Sequence, residues 1–415
     1  MAQRHLPPAQ PAFILRGHSA QVHALHFTPG NTRFLTGDAD GWVISWSLAY
    51  KRPVAVWRAH TNAILGLGSW EPDRIITHGR DNQLLVWQLG FDDEGSMEKT
   101  LPVDSRDTTN TVARKQPWLL HEIAVNALNF CSFAMCRDGM PRPASAQKLV
   151  QGTSRLEPIL FTVPNAVESS AIDIFQLPTQ HRAATIHKDR FINTGMVMAL
   201  SIQAESTKVQ VAAGYESGHT MVFVQSDPGA AFERLYCAQT HIQPILSLVI
   251  SPCKEHYVTS SADANISVHP LPLGRNIWKT DLKPLKTIAT KHAGQQGLSY
   301  RSDGKILATA GWDSNVRVYS KKTMKEVAVL KWHKEGCYAT AFATVDPVIA
   351  RPSSSSSDEN PHTQNVVNGN FARDVTKQRS SAVSTVQQRR EEKARTTHWL
   401  AAGSKDGKVS LWNIY

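Results

Sequence analysis

Histidine and aspartate recur at a near-constant separation along this chain. These are residue types from which acid–base pairs, nucleophile triads and metal sites are built. His18 stands ahead of Asp40, His60 of Asp81, His241 of Asp263 and His292 of Asp313, by 21 or 22 positions in every case. A hydroxyl lies ten positions before an aromatic ring in Thr36 and Trp46, in Thr77 and Trp87, and in Thr309 and Tyr319; Thr259 keeps the same distance to His269. His333, Asp406 and Trp412 form a further set, with Ala402 where a hydroxyl is expected. Taken one at a time, such groups are acid–base candidates, and seventeen histidines could signal metal. Their recurrence in register points instead to architecture. A buried aspartate is costly unless several donors satisfy it, and histidine, threonine and tryptophan converging on it would do so.

Dedicated reaction motifs are missing. There is no GxxxxGK[ST] phosphate loop, GxSxG elbow or strand-linked GxGxxG, and His121-Glu122 meets Val125 where HExxH needs its second histidine. No catalytic, cofactor-binding or metal-binding residue is nominated, no cofactor is expected, and the chain is read as a non-enzyme. The five cysteines (131, 136, 237, 253 and 337) include no CxxC pair and are expected to be buried, inert thiols.

The elements that position these residues follow from the same repeats. Gly37–Trp46, Gly79–Trp87, Gly311–Tyr319 and Gly403–Trp412 each carry a tight-turn signal, Asp-Gly or Asp-Asn or their equivalent, followed by an alternating or apolar run. That is a turn leading into a strand with at least one packed face. Weaker units surround Ile159–Phe175 and Val211–Phe223, with Ser169 and Ser217 in the aspartate slot and His121 and His187 as openers. With the unit that runs from His241 to His269 the total is seven, which gives an all-β, seven-bladed propeller over 12–415. The last unit ends on its third strand at Leu411–Tyr415, so Ala12-Phe13-Ile14-Leu15 is expected to supply the missing outer strand and close the ring.

Long insertions interrupt the pattern. Residues 91–117 separate units two and three, 136–158 lengthen unit three, Pro270 to Pro284 carries Trp278, and 353–397 lies inside the last unit. The Ser-, Gln-, Asn- and Thr-rich composition of 353–397 predicts disorder, because it cannot bury enough apolar surface to offset its ordering entropy. Ser353–Ser357 ahead of Asp358-Glu359 fits an acid-directed kinase, although a solvated spacer is the simpler reading.

Composition sets outer bounds. Apolar residues make up 41% of the 415, enough for a large core, and charged residues 19%, too few for a mainly disordered chain. No apolar run approaches a membrane span, and Met1–Pro8 lacks the apolar region of a secretory signal, so a soluble cytosolic or nuclear protein is expected. The net charge of +10 admits nucleic acid as a partner, but the cations are scattered. The densest stretch, 387–395, is broken by Glu391 and Glu392, and direct nucleic-acid binding is not expected.

The array resembles the WD-repeat family, in which histidine, Ser/Thr, turn aspartate and strand-c tryptophan form one hydrogen-bonded network per blade. More narrowly, Pro8–His18, Leu35–Trp42, Arg52–His60, Ile75–Asn82, Gln116–His121 and Ala308–Asp313 resemble the fungal ASTRA-associated protein 1 family, whose animal relatives are guanine nucleotide-binding protein β-subunit-like proteins. The resemblance implies a nuclear scaffold subunit of the ASTRA assembly. Chromatin remodelling, telomere maintenance and cochaperones that stabilise phosphatidylinositol-3-kinase-like kinases come with it, so the implied partners are ASTRA subunits and those cochaperones, with chromatin reached indirectly. The alternative is a WD-repeat substrate receptor of a ubiquitin ligase. In the resembled fold, the residue before the turn aspartate projects onto the narrower face; here Arg80, Trp312 and Lys405 hold it and are the candidate partner contacts, whereas Ala39 and Ala262 occupy it elsewhere.

Overall fold

The computed structural model describes residues 9–414 except 105–113, 127, 129, 140–155, 206, 273–282 and 346–384. Seven four-stranded antiparallel sheets form a β-propeller. The first strand in the chain, β1 (Phe13–Arg16), is set apart from the blade that follows it. Blade one is β2 (Val22–Phe27), β3 (Arg33–Asp38), β4 (Trp42–Ser47) and β5 (Arg52–Arg58). Blade two is β6 (Ile64–Glu71), β7 (Arg74–Gly79), β8 (Gln83–Gln88) and β9 (Trp118–Ala124). Blade three is β10 (Ala134–Arg137), β11 (Ile159–Pro164), β12 (Ile172–Leu177) and β13 (His181–Ile186). Blade four is β14 (Val197–Glu205), β15 (Lys208–Tyr215), β16 (His219–Gln225) and β17 (Glu233–Gln239). Blade five is β18 (Ile245–Ile250), β19 (His256–Ser261), β20 (Asn265–Pro270) and β21 (Lys286–Ala289). Blade six is β22 (Gln295–Tyr300), β23 (Ile306–Gly311), β24 (Asn315–Ser320) and β25 (Glu326–Lys331). Blade seven is β26 (Cys337–Phe342), β27 (Trp399–Ser404) and β28 (Lys408–Asn413), completed by β1.

The expected closure is present. Strand β1 pairs antiparallel with β28, Phe13 opposite Leu411 and Arg16 opposite Lys408, and Ala12 N–H donates to the Leu411 carbonyl. The core lies between neighbouring blades. At the closing seam Leu15, Val22, Phe34, Ile44 and Trp46 pack with Val409 and Leu411; between blades one and two, Leu35, Val43 and Trp57 meet Ile64, Ile75 and Leu85.

Turns at one end of the ring are short because they fit against one another. Gly41 has φ +85°, and a Cβ there would lie 2.0 Å from the His60 carbonyl; Gly218, with φ +80°, sits equally close to His241. Each turn thus rests on the first residues of the next blade and admits no side chain at that point. The long insertions all leave the ring at the opposite end, after first strands or after third strands.

Two expectations about these insertions need correction. Residues 91–117 lie within blade two, joining β8 to its outer strand β9, because Trp118–Ala124 continues that sheet and pairs with β8. Part of the segment is ordered against blade one: Glu98 accepts the Val56 N–H, Met97 is buried, and Val103 N–H donates to Gly17. The 353–397 insertion ends in a helix, α1 (Val386–Thr396), started by a capping box between Thr385 and Gln388. Ala394 is 2% exposed, its carbonyl accepts the Trp399 indole N–H, and Asn31 donates to the Arg395 carbonyl. A polar helix forms there because its own capping box satisfies its start and its one packed face meets blade one and blade seven. The Ser-rich run Ser353–Ser357, Trp278 and most of 136–158 lie outside the described residues.

Candidate partner-binding face

Blade two shows the four-residue network as expected. His60 Nδ1 lies 2.9 Å from Asp81, His60 Nε2 lies 2.8 Å from the Thr77 hydroxyl, and Trp87 Nε1 donates to the same hydroxyl at 2.9 Å. Burial would raise the Asp81 carboxyl, but hydrogen bonds from His60 and the Thr61 N–H outweigh it and hold Asp81 below the usual carboxylate range. Blade five repeats the network with His269 in the tryptophan slot: His241 joins Asp263 and Thr259, Thr259 joins His269 Nε2, and His269 Nδ1 reaches the Tyr236 hydroxyl at 2.9 Å. Burial and the neighbouring His241 hold His269 down at about 3.

The other blades depart from the expectation. In blade one the aspartate is Asp38, not Asp40. His18 Nδ1 is 2.7 Å from Asp38, His18 Nε2 is 2.6 Å from Thr36, and Trp46 donates to Thr36 at 3.0 Å. Asp38 sits at the end of β3, where blade two has Gly79; a Cβ at Gly79 would fall 2.2 Å from the His60 ring. A carboxylate starting from that point reaches the histidine directly, leaving Asp40 exposed in the turn.

In blade six His292 is excluded from the network. Its ring is 43% exposed and 3.6 Å from Asp313, because the guanidinium of Arg317, 3% exposed, grips both Asp313 oxygens at 3.0 and 2.5 Å. Gln295 takes the histidine's place beside Thr309, at 2.6 Å, and Tyr319 also bonds Thr309. Burial opposes ionisation of Asp313, but Arg317 and Asn315 hold it down at about 2.

In blade seven the missing hydroxyl comes from across the strand. Ala402 pairs with Ser410, and the Ser410 hydroxyl sits 2.8 Å from His333 Nε2 and accepts from Trp412 Nε1 at 2.9 Å. His333 Nδ1 lies 3.6 Å from Asp406, whose carboxyl is held well below its ordinary range by His333 and Lys408 against the effect of burial.

In blade three Asn165 and Thr185 satisfy Asp173, and the opening position is held by buried Asn126 instead of His121, which lies on β9. His187 is exposed.

Carboxylate, imidazole and hydroxyl in line is also the order of a nucleophilic triad. Here Thr36, Thr77 and Thr259 are fully buried, and each hydroxyl is engaged by two neighbouring rings. Such a hydroxyl cannot meet a substrate, so these networks brace the blades. The inert-thiol expectation holds for Cys131 and Cys337, both buried, and burial pushes Cys136 up to about 12; Cys253 departs from it, being exposed.

The network end of the ring carries unusual surface residues. The loops that open each blade and the turns between second and third strands share this end, tied by bonds such as Arg80 N–H to Ala63 and Trp312 N–H to Gly294. On them stand Leu128, Phe130, Val167, Phe191, Ile242 and Trp312, exposed by 67, 56, 95, 92, 85 and 46%. They form an arc over blades three to six. Nine other large apolar side chains are exposed elsewhere among the described residues, but these six share the loops of one face and make it the candidate contact surface.

Of the three nominated contacts, the Arg80 guanidinium lies 4.1 Å over the Phe130 ring, at the blade-two end of the arc. Trp312 is half exposed at the other end, its indole N–H fixed by Gln296 at 2.7 Å. Lys405 is exposed on blade seven, beyond the arc. The sequence reading missed the other five, although each is a large apolar side chain in a turn or loop, where a polar one is usual. The central channel, about 310 Å³, is lined by inner-strand residues of the blades, among them His23, Leu67, Leu200, Leu248, Gln296 and Tyr338. Among the described residues, no helix is long and apolar enough to cross a membrane.

Comparison with known proteins covers almost the whole chain. The profile of a family described as ASTRA-associated protein 1 matches residues 11–412. Proteins of that name from Aspergillus niger and Verticillium alfalfae are each 46% identical, over 99% and 98% of this chain and 98% and 93% of their own. The one from Schizosaccharomyces pombe is 33% identical over 82% of this chain and 95% of its own.

Proposed function

The chain belongs to the ASTRA-associated protein 1 family, and from that premise we propose that it is a non-enzymatic scaffold subunit of the ASTRA assembly. In this reading it works in the nucleus, serving chromatin remodelling and telomere maintenance and holding cochaperones that stabilise phosphatidylinositol-3-kinase-like kinases. The observation that supports a scaffold is the apolar arc. A loop phenylalanine or isoleucine left in water forgoes about 1.5–3 kcal/mol that burial would return. Six such residues, on loops tied to one another by backbone bonds such as Trp312 N–H to Gly294, offer a docking surface with apolar area to bury on binding.

Affinity purification of the full chain with mass spectrometry is the test, run beside Phe191→Ser with Ile242→Ser. The wild type should recover the ASTRA subunits and cochaperones. The double variant should lose them by roughly thirty-fold, the equivalent of about 2 kcal/mol at an interface anchor, with an unchanged melting temperature. A cullin adaptor in place of those partners would favour the ubiquitin-ligase alternative. Full recovery by the folded double variant would move the interface off this face.

A further inference from the structure

At the insertion end of blade five, the turn between β18 and β19 gathers three unlike donors. Cys253 and Glu255 are exposed, and His256 is 6% exposed. The turn is fixed by two backbone bonds, Lys254 N–H to Ser251 and Ser251 N–H to His256, with Lys254 in the left-handed region at φ +58°. The Cys253 thiol sits against the Ser251 hydroxyl at 3.2 Å and faces the two other donors beyond it. Sγ lies 3.6 Å from a Glu255 carboxylate oxygen and 3.8 Å from His256 Nδ1, and the three ligand atoms lie within 4.8 Å of one another.

From this geometry we propose that Cys253, Glu255 and His256 form a zinc-binding site with its fourth position open to solvent. Zinc bonds of about 2.3 Å to sulfur and about 2.0–2.2 Å to nitrogen and oxygen place tetrahedral ligand atoms about 3.3–3.6 Å apart. The sulfur–carboxylate distance of 3.6 Å already fits and the sulfur–imidazole distance of 3.8 Å is about 0.2 Å longer, while the Glu255–His256 pair, within 4.8 Å, closes by up to about 1 Å through rotation of the exposed Glu255 side chain.

The buried imidazole provides an independent sign. Its Nε2 is 3.2 Å from the Tyr300 hydroxyl of blade six, so the ring can donate there and present the Nδ1 lone pair to the turn. An outer hydrogen bond of this kind is what orients a metal-binding histidine. Facing groups are mixed: Lys321 of blade six opposes a cation at His256, and Glu255 favours one. Binding releases the thiol proton to solvent, so thiolate and carboxylate together neutralise the dication and affinity rises with pH.

The full-length protein, stripped with chelator, is titrated with cobalt(II) and with zinc in competition with a metal indicator. One equivalent of cobalt should bind and give a sulfur-to-cobalt charge-transfer band, which zinc displaces. Cys253→Ser should abolish the band. Glu255→Gln should weaken binding at least about tenfold, and Tyr300→Phe should do so by about 10–100-fold, the usual effect of losing an outer-shell partner. Cys253 and Glu255 are exposed, so their variants test the site without threatening the fold. Zinc should also slow alkylation of Cys253 and leave the other four cysteines unaffected. Absence of the band, or a band that survives Cys253→Ser, would overturn the proposal.

Discussion

Blade one offers the sharpest test of the bracing networks, because two aspartates compete for one role. Asp38 is fully buried and accepts from His18 Nδ1 at 2.7 Å and from the Asp40 and Trp42 backbone N–H groups at 3.0 Å each. Asp38→Ala strands three donors. A buried donor without a partner costs about 1–3 kcal/mol, and the two turn amides recover part of that from water, which leaves a loss of about 3 kcal/mol. Unfolding entropy near 2 cal/mol/K per residue over roughly 350 ordered residues makes this about a 4 °C fall in melting temperature. Asp38→Asn keeps an acceptor for the turn and should lose less. Asp40 is exposed and engages through its backbone carbonyl, which takes the Arg58 Nε–H and survives truncation, so Asp40→Ala should stay within about 0.5 kcal/mol of wild type. Thermal scans at one fixed rate, with urea unfolding beside them, read both variants. Equal losses from Asp38→Ala and Asp40→Ala would refute the assignment.

Ser410→Ala should cost about 1–3 kcal/mol, because His333 Nε2 and Trp412 Nε1 lose their shared hydroxyl; an unchanged urea midpoint would contradict the cross-strand substitution. Removing residues 1–16 should cost several kcal/mol, since the β1 ladder and the buried Leu15 go together; a melting temperature within a degree or two of the full chain would count against closure by β1. Acid should weaken the fold through two buried histidines. Burial holds His78 and His269 at about 3, below the value of about 6.5 for the unfolded chain. The unfolded chain takes up these protons first, so stability is full above about pH 6.5 and falls toward pH 3 by up to about 1.4 kcal/mol per unit for each. His269→Trp should flatten that dependence measurably in urea titrations at pH 7.5, 6 and 5, and an identical slope would exclude His269 as a source.

The ring, its seven blades and the closing strand were legible in the sequence because periodicity and turn chemistry repeat along the chain. The individual networks were less so. Counting back from Trp46 selects Asp40, yet two residues decide whether a carboxylate reaches the ring or the solvent. Ser410 escapes a search for a hydroxyl ten places before Trp412, since cross-strand neighbours are adjacent in space and distant in sequence. His292 matched its spacing but lost its aspartate to Arg317, a competition invisible to spacing. Helix α1 was hidden by a composition that predicts disorder, and blades one and seven supply the surface that holds it. Each arc residue is a large apolar side chain in a loop, a faint signal when read singly, and the ring alone brings the six to one face.

Closure of the ring by β1 on β28 also sets a timetable for biosynthesis. Strand β1 is made nearly 400 residues ahead of its partner, since Phe13–Arg16 pairs with Lys408–Leu411. At about 5–20 residues per second the wait is roughly 20–80 s. Throughout it, the inner face of blade one and the rims of the growing arc of blades stand open to any passing strand. The nascent chain of this protein is therefore a natural client for folding assistance, and its yield in cells should depend on how well those unclosed ends are shielded until β28 is made.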